Sequence, residues 1–210
     1  MNSATQKIRL QGGAGLVEAL LDEPVGAARG TAVIAHPHPL FGGTMTNKVV
    51  QTLARAFVQT GWRAVRFNFR GVGASEGAYD EGRGEAGDML DVIRQVAPEG
   101  ALAVAGFSFG AFVTSHAVAG MAPRQPEKIV LVGTAASRFA VAPIATELHE
   151  RTLVLHGEQD DTVVLSSVMD WARPQSLPVT VIPGVEHFFH GQLPLLKSLV
   201  VRHLLVPVQA

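Results

Sequence analysis

The stretch that decides the fold is Leu102-Ala103-Val104-Ala105-Gly106-Phe107-Ser108-Phe109-Gly110. An apolar run of strand length enters the pattern G-x-S-x-G, and a helical pattern, Phe109–Gly120, leaves it. Glycines two places before and two after the serine leave room for a strand and a helix to close on one another. A serine at the tip of such a turn holds its hydroxyl clear of the sheet. The helix that starts beside it points unpaired N–H groups at any negative charge formed there. In a chain with 22 glycines the same letters also fit a plain strand-to-helix turn, so the surroundings decide.

Working outward, apolar runs of strand length alternate with helical patterns almost from end to end. Strands are predicted over Thr31–His36, Arg63–Phe69, Leu102–Phe107, Lys128–Gly133, Thr152–His156 and Val179–Ile182. Most are continuous rather than alternating, as expected of strands covered on both faces. Helices are predicted over Asn47–Thr60, Gly84–Val96, Phe109–Gly120, Ser166–Arg173 and Gln192–Leu205. Asn47 is placed to cap the first of these, and Gly61 lies where a helix-ending glycine belongs. Leu16–Leu21 is expected to add an antiparallel edge strand. The predicted class is α/β, an open and mostly parallel sheet with helices on both faces, in one domain over residues 1–210.

Composition narrows the function. Hydrophobic residues reach 47% and charged residues only 17%, which excludes a disordered chain. A net charge of −1 offers no basic field for phosphates, so no nucleic-acid partner is expected. Zero cysteines exclude a disulfide scaffold, a thiolate zinc site and a cysteine nucleophile. Gly100–Pro123 lacks Asp, Glu, Lys and Arg, yet its internal Gly, Ser, Thr and His fit a buried strand and helix better than a membrane span. The opening Met1–Lys7 lacks the apolar core of a signal peptide, so a soluble, cytoplasmic protein is expected.

A serine hydroxyl needs a base, and the base needs an acid to orient it. His156-Gly157-Glu158-Gln159-Asp160 places a carboxylate past the end of one later strand, and Gly184-Val185-Glu186-His187 places a histidine past the next. The C-terminal ends of parallel strands share one edge, so Ser108, Asp160 and His187 can converge there. The order Ser, Asp, His is the one associated with this turn. Asp161 and Glu158 compete with Asp160, and His190 competes with His187. His116, His149, His156 and His203 read as structural.

On these motifs the chain resembles an α/β-hydrolase of the small lidless group related to dienelactone hydrolases and short-chain carboxylesterases. The likeness extends to His36-Pro37-His38-Pro39 with Gly42-Gly43, to Arg66–Ser75, and to His187-Phe188-Phe189. It implies a triad in which Ser108 is the nucleophile, His187 the base and Asp160 the orienting acid. Dienelactone hydrolases themselves use a cysteine, which this chain lacks. The resemblance implies a serine hydrolase of small carboxylic esters, with no cofactor and no metal. A thioesterase or acyltransferase with the same triad, a non-catalytic ligand-binding scaffold, and a metal hydrolase centered on His36 and His38 are the alternatives.

Acyl transfer requires two N–H donors for the oxyanion. The Phe109 amide should be one. The other should come from the loop after Thr31–His36, where Pro37 and Pro39 have no N–H, leaving His38 first and Leu40 second. Phe41, Phe107 and Phe188 are candidates for an apolar substrate pocket. No arginine lies beside the three catalytic segments to demand a carboxylate, although Arg70 or Arg138 can approach them in space. His36-x-His38 lacks further ligands for a metal, and Gly82-x-Gly84-x-x-Gly87 follows no strand, so neither a metal nor a dinucleotide is expected. No inserted segment is long enough for a lid. Oligomeric state is not legible.

Overall fold

The computed structural model describes residues 5–207. Eight strands form one open sheet: β1 (Gln6–Gly12), β2 (Gly15–Asp22), β3 (Thr31–Ala35), β4 (Arg63–Phe67), β5 (Leu102–Phe107), β6 (Lys128–Val132), β7 (Thr152–Gly157) and β8 (Val179–Ile182). Their spatial order is β1-β2-β4-β3-β5-β6-β7-β8. From β4 to β8 every pairing is parallel, whereas β1–β2 and β2–β4 are antiparallel. Five helices complete the alternation: α1 (Lys48–Gln59), α2 (Arg83–Val96), α3 (Phe109–Ala119), α4 (Leu165–Ala172) and α5 (Leu193–Leu205).

Two faces of the sheet are buried because successive side chains of a strand point to opposite sides. Leu102 and Val104 of β5 join a core with α2, α3 and α4. Ala103, Ala105 and Phe107 of the same strand join a second core with α1 and α5. This double burial explains the continuous apolar strands. The apolar stretch from Gly100 to Pro123 is accordingly β5 and α3, and no helix among the described residues is long and apolar enough to cross a membrane.

Two expectations are corrected. Leu16–Leu21 is not an edge strand: it lies within β2, between β4 and a further strand, β1, which is the edge. The strand predicted to Phe69 ends at Phe67, and Asn68 beyond it anchors loops instead. Its side chain accepts from the Met45 amide at 2.9 Å and donates to Glu18 at 2.9 Å. Residues 1–4, part of the segment that argued against a signal peptide, lie outside the described residues.

Candidate active site

Ser108 sits between β5 and α3 with φ +57° and ψ −118°, a sparsely populated conformation for a residue with a side chain. Such strain costs about 1–3 kcal/mol and must be held in place by its surroundings. The glycines explain how. A Cβ on Gly106 would lie 2.2 Å from the Gly110 carbonyl oxygen, and one on Gly110 would lie 2.4 Å from that of Ala35. Only glycine lets the helix start this close to the sheet. The Ser108 amide is tied to the Val132 carbonyl at 2.8 Å, which fixes the turn to β6.

The ends of β7 and β8 bring the other two residues to this turn. His187 Nε2 lies 3.1 Å from Ser108 Oγ, and His187 Nδ1 lies 2.6 Å from Asp160 Oδ2. All three are buried. A carboxylate only accepts, so Nδ1 carries the imidazole proton and Nε2 presents its lone pair to the serine hydroxyl. Asp160 is itself held: its Oδ1 accepts from the amides of Thr162 at 3.0 Å and Val163 at 2.7 Å. Its Oδ2 also faces His156 Nε2 at 3.6 Å. That ring donates to the Val163 carbonyl at 2.9 Å, and burial holds its pKa below the ordinary histidine value.

The rivals lie elsewhere. Asp161 is exposed and meets Thr162 Oγ1 at 3.4 Å, and His190 is exposed beside Glu186 at 2.9 Å. Glu158 accepts from the Gly184 amide at 2.9 Å.

In the loop after β3 the amides of His38 and Leu40 differ in their partners. The Leu40 amide donates to His38 Nδ1 at 3.2 Å, and the amides of Phe41 and Gly43 both donate to the His38 carbonyl. The Gly42 amide is taken by Pro39. With two prolines lacking donors, His38 keeps the one free amide of residues 37–43, and the Phe109 amide is free at the helix start, both among the described residues. His36, next to this loop, is an internal strut. It donates from Nδ1 to the Pro37 carbonyl at 2.6 Å and accepts the Phe69 amide on Nε2 at 3.0 Å. Burial pushes its pKa down to about 4, so it is neutral near pH 7.

Beside Ser108 and His187 opens a cleft of about 280 Å³. Phe41 and Phe188, both exposed, line it. Phe107 does not: the alternation of β5 sends its side chain to the α1/α5 core, where it is fully buried with its ring centroid 4.9 Å from that of His187. It backs the imidazole instead of walling the cleft. The sequence did not point to Asn47, Phe139 or Thr162 on the lining, whereas of the two arginines it allowed to approach the site Arg138 is there and Arg70 is not. The Asp160-x-Thr162 turn, in which a carboxylate accepts amides further along the chain, was the available signal for Thr162. The loop from 133 to 145 carries no periodicity and gave none for Phe139, while Asn47 read as the cap of α1.

A sheet of this order, with the serine turn at its center and a histidine and a carboxylate at neighboring strand ends, defines an α/β-hydrolase without a lid. The chain is a hydrolase and belongs to the X-Pro dipeptidyl-peptidase (S15) family, whose profile matches residues 23–143. The match includes Ser108 and ends before Asp160 and His187. A curated relative, the uncharacterized protein RP471 of Rickettsia prowazekii, is 33% identical over 181 residues, covering 75% of this chain and 71% of the relative. Among solved structures, XC6422 of Xanthomonas campestris, described as an a/b serine hydrolase without lid, superposes with a TM-score of 0.86 at 32% identity over 100% of this chain and 99% of that one. An alpha-beta serine hydrolase homologue from Coxiella burnetii gives a TM-score of 0.80 at 36% identity, covering 94% and 96%.

Proposed function

We propose that the protein hydrolyzes small carboxylic esters through a Ser108–His187–Asp160 triad and an acyl-enzyme. The observation that carries this reading is the continuous contact from Asp160 through His187 to Ser108, at 2.6 and 3.1 Å. Ser108 Oγ attacks the ester carbonyl while its proton passes to His187 Nε2. The amides of His38 and Phe109 receive the oxyanion. The tetrahedral intermediate collapses as its bond to the leaving oxygen breaks, and His187 gives the proton to the departing alcohol. Water, deprotonated by His187, then attacks the acyl-enzyme, the acid leaves, and the proton returns to Ser108. Asp160 keeps the imidazole in the productive tautomer and stabilizes its charged form throughout.

The family match favors a second reading, cleavage of a peptide bond after an N-terminal X-Pro pair. A dipeptidyl peptidase must hold the free ammonium group of its substrate, for which a carboxylate in the site is the natural partner. Among the described residues the cleft is lined by none, and its one formal charge is the cation Arg138. Ester hydrolysis therefore fits the cleft better. With purified protein, p-nitrophenyl acetate and butyrate should be turned over and Gly-Pro-p-nitroanilide left intact. A kcat/KM for the dipeptidyl anilide equal to or above that for the acetate would replace the ester reading with the peptidase one.

A further inference from the structure

Arg138 is exposed on the loop after β6 and lines the same cleft as Ser108 and His187. Its guanidinium carbon stands 5.9 Å from the centroid of the Phe41 ring. None of the ion pairs among the described residues includes it. Other arginines near the sheet edge are committed: Arg66 to Asp22 at 2.7 Å, and Arg70 to Asp88 through two bonds of 2.7 and 2.8 Å. Arg138 thus supplies an uncompensated positive charge to a cleft with aromatic walls at Phe41, Phe109, Phe139 and Phe188. A cleft of one sign with low-dielectric walls concentrates the opposite charge at its mouth. The His38 ring shares that wall and packs 4.8 Å from Phe109. Its Nδ1 is occupied as an acceptor of the Leu40 amide, so its remaining ring proton sits on Nε2 and offers a second, neutral donor.

We infer that the preferred substrate is an ester bearing a carboxylate remote from the scissile carbonyl, and that Arg138, assisted by His38, selects for that carboxylate. The inference rests on the ester reading above. An anion at Arg138 replaces water around the guanidinium with a charge-assisted pair, while the neighboring rings cover the apolar chain that links it to the ester. Because Arg138 is exposed, the pair is partly screened and its effect is moderate.

The test compares two matched pairs: mono-p-nitrophenyl adipate against its methyl ester, with the carboxylate on the acyl side, and 4-acetoxybenzoate against methyl 4-acetoxybenzoate, with it on the alcohol side. For each, the ratio of kcat/KM for the anionic to the neutral ester is measured in the wild type, in Arg138→Gln and in Arg138→Lys. Any effect of the substitution on both esters alike cancels in the ratio. In at least one pair the ratio should fall about tenfold in Arg138→Gln, recover in part in Arg138→Lys, and shrink in the wild type as salt is raised. The pair that responds tells which side of the ester carries the carboxylate. Ratios within twofold of wild type for both pairs in Arg138→Gln would overturn the inference, leaving Arg138 a solvated rim residue. That result leaves ester hydrolysis standing, whereas a wild type that cleaves none of the four esters contradicts the ester reading itself.

Discussion

Ser108→Ala is expected to lower kcat toward p-nitrophenyl acetate by on the order of 10⁵-fold while leaving the fold intact. The hydroxyl contacts His187 Nε2 at 3.1 Å, and its removal takes away the atom that forms the acyl bond. What remains is the cleft and its two free amides, which on their own retain a small part of a triad's acceleration. Alanine keeps the Cβ, so the turn at φ +57° carries the same strain in both proteins. The glycines and the Ser108 amide bond that hold the turn are untouched. Stability should therefore change by no more than about 1 kcal/mol. Stopped assays of both proteins beside their thermal melting curves check the two halves of this expectation. Loss of rate together with loss of fold would deny Ser108 a chemical role.

Asp160→Asn should cost about 10⁴-fold in kcat, and the hydrogen bonds around the residue say why. Oδ1 accepts two backbone amides, from Thr162 and Val163, so an asparagine must keep its carbonyl oxygen on that side. Its NH₂ group is then turned toward His187 Nδ1, where Oδ2 now lies at 2.6 Å. A donor there forces Nδ1 to accept and moves the imidazole proton to Nε2, facing Ser108. The base then has no lone pair for the serine proton. Asp161→Asn is the control, because Asp161 is exposed and touches only Thr162 Oγ1 among its side-chain hydrogen bonds. Its kcat should stay within twofold of wild type. A larger loss in Asp161→Asn than in Asp160→Asn would transfer the role to the neighbor.

These residues were legible because each sits at the end of a strand whose apolar run is visible in the sequence. β5 and β8 have the predicted bounds, and the other strands that were predicted differ by one or two residues at an end, where hydrogen bonding rather than hydrophobicity sets the limit. β1 was not legible. Its sequence, QKIRLQG, has one face toward solvent, with Lys7 and Arg9 exposed and only Ile8 and Leu10 packed on the core. That two-residue alternation is short and polar, and pairing with β2 supplies the stability that its composition does not. Phe107 shows a different limit. Adjacency to the motif placed it near the site, but the side to which it points follows from the pleat of β5. Arg138 stands on a loop without periodicity, so the sequence leaves it level with Arg70 as an arginine able to approach the site, and the folded chain places Arg138 on the cleft with Ser108.

The central claim is that Ser108 is the nucleophile that carries the acyl group. It is tested most directly by exposing the folded protein to a fluorophosphonate and locating the adduct by mass spectrometry of the whole chain and of its peptides. The account predicts one adduct per chain, on the peptide containing Ser108, lost in Ser108→Ala and formed much more slowly in Asp160→Asn. An unmodified wild type that still hydrolyzes esters, or an adduct on another residue that persists in Ser108→Ala, would contradict it.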